Sequence, residues 1–284
     1  MTGISYLDEL YSPVTGCSGK NCPTKDTCWA KAMVKRFPAI HGITQGLGGS
    51  WAKDDFQPER IPFNQPQFHP DRLNKPLHWK KPRRIGVCFC GDLFDEQVKG
   101  HWRVDIYDVM AMCPNHQFFI LTKQSENMEK TLTGHKWIQW EDNVYHGVTI
   151  TSQADADRMI PELLRIPGKK WISIEPMLEL IDLRMDGVRC TCGQWEQTPG
   201  YFHKTCPDCG KTRHKFIPEW IVLGCESGPK RSLCPHEWMI DVVEQCRAAG
   251  TPCFVKQVDM GGRVCTDITK FPKELQVRAL VTGG

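Results

Sequence analysis

The sequence predicts an α/β protein, a partial (β/α) TIM-like barrel with a small Cys-rich unit inserted at residues 187–216. Three observations predict it. Short continuous apolar runs, rich in β-branched residues, recur along the chain and read as buried strands. Segments with helical spacing lie between them, as the crossovers of a parallel sheet require. One stretch breaks that rhythm with two cysteine pairs.

In order, a short first strand is expected at Tyr11–Val14. Residues 38–84, rich in Pro, Gln and His, read as a surface wrap. Strands follow at Ile85–Cys90, Phe118–Thr122, Val144–Thr149, Trp171–Ile174, Trp220–Gly224 and Pro252–Lys256. Helices are expected at Val98–Cys113, Ser152–Arg165 and His236–Ala249. The last carries Trp238, Val242, Val243 and Cys246 near a 3.6-residue period and stops at Gly250. This gives about seven βα units. Residues 1–186 and 217–284 would form the α/β body, and 187–216 the inserted knuckle.

The chain has 284 residues, 40% hydrophobic and 24% charged, the composition of a globular protein with a sizeable core. A net charge of +3 excludes a globally basic nucleic-acid coat and leaves room for a local basic groove. No run of about 18 apolar residues occurs, so no membrane span is expected. The opening MTGISYLDELYSPVTGC lacks a basic segment followed by an apolar one, and a cytoplasmic location is expected. In that setting 15 cysteines point to metal or redox chemistry rather than disulfides.

Cys17, Cys22 and Cys28 lie on one Gly/Pro/Ser-containing loop in the spacing C-x4-C-x5-C, ahead of a helix-like run. Three thiolates on one loop can grip three irons of a [4Fe–4S] cluster and leave the fourth open to a small ligand. The spacing also suits zinc completed by a His such as His41, or three unrelated thiols. A loop after the first strand would sit at the C-terminal mouth of the sheet, where α/β barrels keep their chemistry.

The block Tyr11-Ser-Pro-Val-Thr-Gly-Cys17, with Cys28-Trp-Ala behind it, resembles the W-N-P-V-T-G-C opening of a phage-associated family of radical-SAM-like proteins. That family is distantly similar to spore photoproduct lyase. Pro76–Phe94, Phe119–Lys123, His146–Thr149, Ser173–Met177, Val222–Pro229 and Phe254–Gln257 resemble its later blocks, in order, over nearly the whole chain. The inter-Cys spacing, Trp29 in place of Tyr, and Cys225 in place of Gly depart from the family pattern. The resemblance implies a radical S-adenosylmethionine (SAM) enzyme with a radical-SAM-type partial barrel. Cys17, Cys22 and Cys28 would hold a [4Fe–4S] cluster, and SAM would chelate the open iron. A reductant such as flavodoxin or ferredoxin would serve it in a phage-infected or prophage-bearing bacterial cell. DNA, a nucleotide or a base such as thymine is the implied substrate.

Polar groups end the expected strands: Asp92, Lys123, Thr149, Glu175, Glu226 with Ser227, and Lys256 with Gln257. A shared mouth of carboxylates, cations and hydroxyls suits the polar ends of SAM, and Asp92, Lys123, Thr149, Glu175 and Glu226 are its expected contacts. Loop capping and salt bridging are the competing roles. Cys225 is a candidate hydrogen-atom donor, and Cys88 and Cys90, alternating on one strand, are expected core thiols. Cys190, Cys192, Cys206 and Cys209, each pair followed by Gly, read as a tetrathiolate zinc knuckle of structural type. Lys204, Lys211, Arg213, His214 and Lys215 beside it form a solvated face or a polyanion contact. Lys75–Arg84 combines five cations with Trp79, suited either to nucleic acid or to a surface lead-in. The rival to an enzyme is a zinc-binding, nucleic-acid-associated phage protein in which both Cys clusters hold zinc.

Overall fold

The computed structural model describes residues 4–20, 22–42, 60–134, 142–190, 192, 194–197, 205–211, 213–228 and 231–281. Strands β1 (Glu9–Tyr11) and β2 (Val14–Thr15) lead to helix α1 (Trp29–Arg36). Then come β3 (Gln67–Phe68), α2 (Pro70–Leu73), β4 (Arg84–Val87), α3 (Gly100–Ala111), β5 (Gln117–Thr122) and α4 (Ser125–Gly134). Next are β6 (Val144–Thr149), α5 (Gln153–Leu164) and β7 (Lys169–Ile174). Strands β8 (Gly187–Cys190), β9 (Trp195–Gln197) and β10 (Arg213–Lys215) make a separate three-stranded sheet. The chain ends with β11 (Trp220–Gly224), α6 (His236–Ala249), β12 (Cys253–Asp259) and β13 (Val264–Cys265).

The main sheet has eight strands in the order β1-β4-β5-β6-β7-β11-β12-β13. All are parallel neighbours in chain order except β13, which runs antiparallel to β12. No pairing of β1 with β12 or β13 closes it among the described residues. The architecture is therefore mixed α/β around a mostly parallel sheet. Parallel order without strand swaps puts the C-terminal end of every strand but β13 at one edge, so the loops that follow share a mouth.

Period-2 alternation sorts the side chains onto two faces. Val87, Ile120, Val148, Ile172, Leu223 and Val255 pack with Ile106 and Met110 of α3 and Val242 of α6 in the helix-side core. The opposite face carries a second core of Phe119, Tyr145, Trp171, Trp220, Val222 and Phe254, joined by Tyr6 and Leu7. Tyr6, just before β1, sets its ring 5.4 Å from Trp220 and 5.6 Å from Phe254, edge-on to both. The N-terminal segment thus covers rings from β11 and β12. Gly147 makes room for the indole of Trp171, since a Cβ there would fall 2.3 Å from Nε1.

Strand positions follow the apolar runs, with two local differences. Ser12-Pro13 divides the expected first strand, because proline has no N–H for a ladder. Cys88, at φ 57°, ends β4 early, so Cys88 and Cys90 do not alternate on one strand. Both are buried all the same. Within the expected wrap, residues 43–59 lie outside the described residues. Helix α6 ends as expected on Gly250 in the left-handed region, φ 73°.

Candidate functional site

The three-cysteine loop grows from β2 and is held at the mouth on both flanks. Gly16 bridges Gly91 beyond the end of β4, its N–H donating to the Cys90 carbonyl at 3.0 Å. A Cβ on Gly91 would sit 2.6 Å from the Gly16 carbonyl oxygen, so only glycine permits this approach. Asp95 Oδ2 accepts from both the N–H and the hydroxyl of Ser18 at 2.7 Å. On the other flank, Thr27 Oγ1 donates to Glu226 Oε1 at 2.6 Å, one residue before Cys28.

Behind the loop lies a buried relay. Thr15 Oγ1 sits 2.9 Å from His41 Nδ1 and 2.8 Å from His69 Nε2. His41 Nε2 faces the Pro62 carbonyl at 2.9 Å, an acceptor only, so Nε2 carries the proton. Thr15 then donates to His41 Nδ1 and accepts from His69 Nε2. Burial lowers both imidazoles, His69 to about 4 with the Arg72 charge assisting. Both ring nitrogens of His41 are thus engaged in hydrogen bonds.

Cys17, Cys22 and Cys28 are unbridged, half-buried thiols on this loop. Burial, then the Asp92 charge, pushes Cys17 up to about 12, with Cys28 close enough to contribute. Among the described residues, only Cys190, Cys192, Cys206 and Cys209 bring three or more such ligand atoms within 4.8 Å of one another. The sulfurs of Cys17, Cys22 and Cys28 therefore do not all lie within 4.8 Å of one another.

The expected SAM contacts divide into two groups. Asp92 is buried, with its carboxylate accepting from Thr122 Oγ1 and from the N–H groups of Phe94 and Lys123. It clips the loops after β4 and β5 together. Glu226 is likewise engaged, by Thr27 and by the Ser232 N–H at 2.8 Å. At both positions the carboxylate accepts from backbone N–H groups, which the ends of strands leave needing acceptors. Thr149 and Glu175 remain on the mouth side. Thr149 pairs in register with Ser173 on the face that carries Tyr145 and Gly147. Lys123 Nζ has no carboxylate partner among the described residues.

Glu175 anchors a polar cluster at the top of the aromatic core. Its Oε2 accepts from Tyr6 Oη at 3.0 Å, and Lys256 Nζ lies 2.8 Å from Oε1. Gly224 leaves the space Glu175 needs, since a Cβ there would approach Oε1 to 2.9 Å. Burial, followed by the Glu175 charge, holds the Tyr6 phenol well above its ordinary range, so it stays a donor. Beside the loop opens a cavity of about 610 Å³, lined among others by Cys22, Lys25, Thr151, Ser152, Asp155 and Glu179.

Cys225 directly follows β11. It is buried with Leu223 and Cys234 in the helix-side core, where burial raises its thiol to about 11.

In the inserted unit the four expected thiols converge. Cys190 Sγ lies 3.4 Å from Cys209 Sγ, and Cys192 Sγ 3.6 Å from Cys206 Sγ. A tetrahedron with zinc–sulfur bonds of about 2.3 Å has edges of about 3.8 Å, so the cage matches one tetrahedral ion. Gly210, at φ 69°, makes the turn that returns its N–H to the Cys206 carbonyl at 2.9 Å. Burial opposes ionisation of Cys190, yet the backbone N–H of Cys192 and the neighbouring thiols bring it down to about 7, supplying a thiolate for a metal. Lys204 and the side chains of Arg213 and His214 lie outside the described residues.

The basic segment lies away from the mouth. Arg84 opens β4, so Lys75–Arg84 runs at the N-terminal edge of the sheet. Trp79 packs on the core with Arg83 above its ring, and Arg83 and Arg84 pair with Glu9 and Asp8. Tyr6, Thr27 and Asp95 are the site residues that sequence reasoning missed.

The family described as a protein of unknown function, DUF5131, matches residues 1–281, and the chain belongs to it. No curated protein and no solved structure matches the chain.

Proposed function

We propose that this member of the DUF5131 family is a radical SAM enzyme acting on a nucleic-acid base or nucleotide. The supporting observation is the Thr27–Glu226 contact, which ties the three-thiol loop to the strand-end edge of a sequentially ordered parallel sheet. In this reading the sheet is a partial barrel, and Cys17, Cys22 and Cys28 each ligate one iron of a [4Fe–4S] cluster. When bound, the reduced cluster supplies an electron that cleaves SAM to methionine and a 5′-deoxyadenosyl radical, which takes a hydrogen atom from substrate.

The chain's own groups position and shield. Asp95 and Glu226 fix the loop. Lys123, Thr149 and the Lys256–Glu175 pair offer a cation, a hydroxyl and a carboxylate at the mouth for the polar ends of SAM. The aromatic core beneath them keeps water from the sheet interior. Phage association and a flavodoxin- or ferredoxin-type reductant belong to the same proposal.

The experiment is anaerobic purification followed by SAM cleavage with dithionite. The proposal predicts 5′-deoxyadenosine in the parent and none in Cys17→Ala, Cys22→Ala or Cys28→Ala. A colourless, iron-free parent holding two zinc ions would favour the non-enzymatic nucleic-acid-associated reading instead.

A further inference from the structure

Helix α1 leaves the cysteine loop directly after Cys28 and buries only Ala30 and Val34. The remainder of its surface is exposed and has an unusual make-up. Trp29, Met33 and Phe37 recur every four residues and form one apolar row, with Trp29 and Phe37 each 46% exposed. Arg36 follows in the adjoining row, and Lys31 and Lys35 form the next. Lys25 stands on the loop just before. Lys25, Lys31, Lys35 and Arg36 have no carboxylate partner among the described residues, and Asp26 is the single acid between residues 22 and 37. Arg36 already lies over a ring, 5.2 Å from the Phe37 centroid.

Single-stranded nucleic acid needs cations that track phosphates and exposed rings on which bases stack. The Lys75–Arg84 segment keeps exposed lysines but offers no free stacking ring beside them, because its Trp79 is packed and its two arginines are paired. Helix α1 offers both, at the loop that Thr27 ties to the mouth. We infer that the exposed face of α1, with Trp29 as stacking platform and Lys25, Lys31, Lys35 and Arg36 as phosphate contacts, is a docking surface for single-stranded nucleic acid. This rests on the nucleic-acid substrate of the proposed function and names the surface that delivers it.

The test is fluorescence anisotropy of a labelled single-stranded, thymine-rich oligodeoxynucleotide with the full chain, iron-free and iron-loaded, across a salt series. Trp29→Ala weakens binding on the order of tenfold, and Trp29→Phe restores most of it. Lys31→Gln, Lys35→Gln and Arg36→Gln together lower the salt slope by roughly two. Lys80→Gln with Lys81→Gln leaves affinity unchanged. Circular dichroism and thermal midpoints verify that each variant is folded. Absence of binding by the parent, equal competition by polyglutamate, or loss of binding only in the Lys80 and Lys81 variant would each overturn the inference. The two readings fail separately. Binding that depends on α1 in a protein that takes up no iron removes the enzyme and keeps the surface, whereas SAM cleavage with oligonucleotide binding indifferent to α1 does the reverse.

Discussion

Thr27 donates to Glu226 across 199 positions of sequence, and that contact joins the cysteine loop to the loop following β11. Because Glu226 also accepts from the Ser232 N–H, its carboxylate holds the two loops in one place.

Removing this tether should loosen the loop without unfolding the protein. Thr27→Val deletes a hydrogen bond to a charged group but leaves Glu226 its second donor. The thermal midpoint should hardly move, while iron loss to a chelator under anaerobic conditions should speed up severalfold. An unchanged rate would mean that the tether does not govern the loop.

The tetrathiolate unit should behave as an independent structural site. Cys206→Ser should release one zinc per chain and lower stability by about 2 kcal/mol or more, since so short an insertion has little core of its own. Visible absorption from the other cysteine cluster should persist. If it bleached, the two sites would not be separate.

Buried His146 makes the fold acid-sensitive. Burial, assisted by the Lys170 charge, lowers it to about 3, and Tyr107 Oη meets its Nε2 at 2.7 Å. Above about pH 6.5 the ring is neutral in both folded and unfolded chains. Below that, the unfolded chain binds a proton that the native state refuses until about pH 3. Stability therefore falls with decreasing pH by roughly 1.4 kcal/mol per unit across this window. Urea midpoints at several pH values should show the slope, and His146→Gln should reduce it while the share of His41 and His69 persists.

Packing on the inner face leaves no spare volume at Gly147. Its Cβ would fall 2.3 Å from the Trp171 Nε1 that donates to the Ile120 carbonyl. Gly147→Ala should cost about 2 kcal/mol, read from denaturant midpoints. A neutral substitution would show that the indole can shift freely.

The Lys256–Glu175 pair should be coupled. Lys256→Met strands a largely buried carboxylate and should destabilise more than Lys256→Met combined with Glu175→Gln. Additive effects in the double-mutant cycle would show that the pair does not interact.

The strands were legible because a parallel sheet covered on both faces demands continuous apolar runs, as WISI and WIVLG provide. The four-thiol cage was legible for a similarly local reason, its cysteines falling in two close pairs. Sequence places the carboxylates of Asp92 and Glu226 at strand ends but does not reveal which N–H groups they meet there. Tyr6 escaped notice because its role depends on rings from β11 and β12, more than 200 residues away. Cys88 escaped the alternating pattern through a positive φ that no apolar run announces.

Metal and sulfide analysis of anaerobically purified protein tests the central claim most directly. The account predicts about four irons with matching sulfide and one zinc per chain, with iron lost in Cys17→Ala and zinc lost in Cys206→Ser. Two zinc ions and no iron would contradict it.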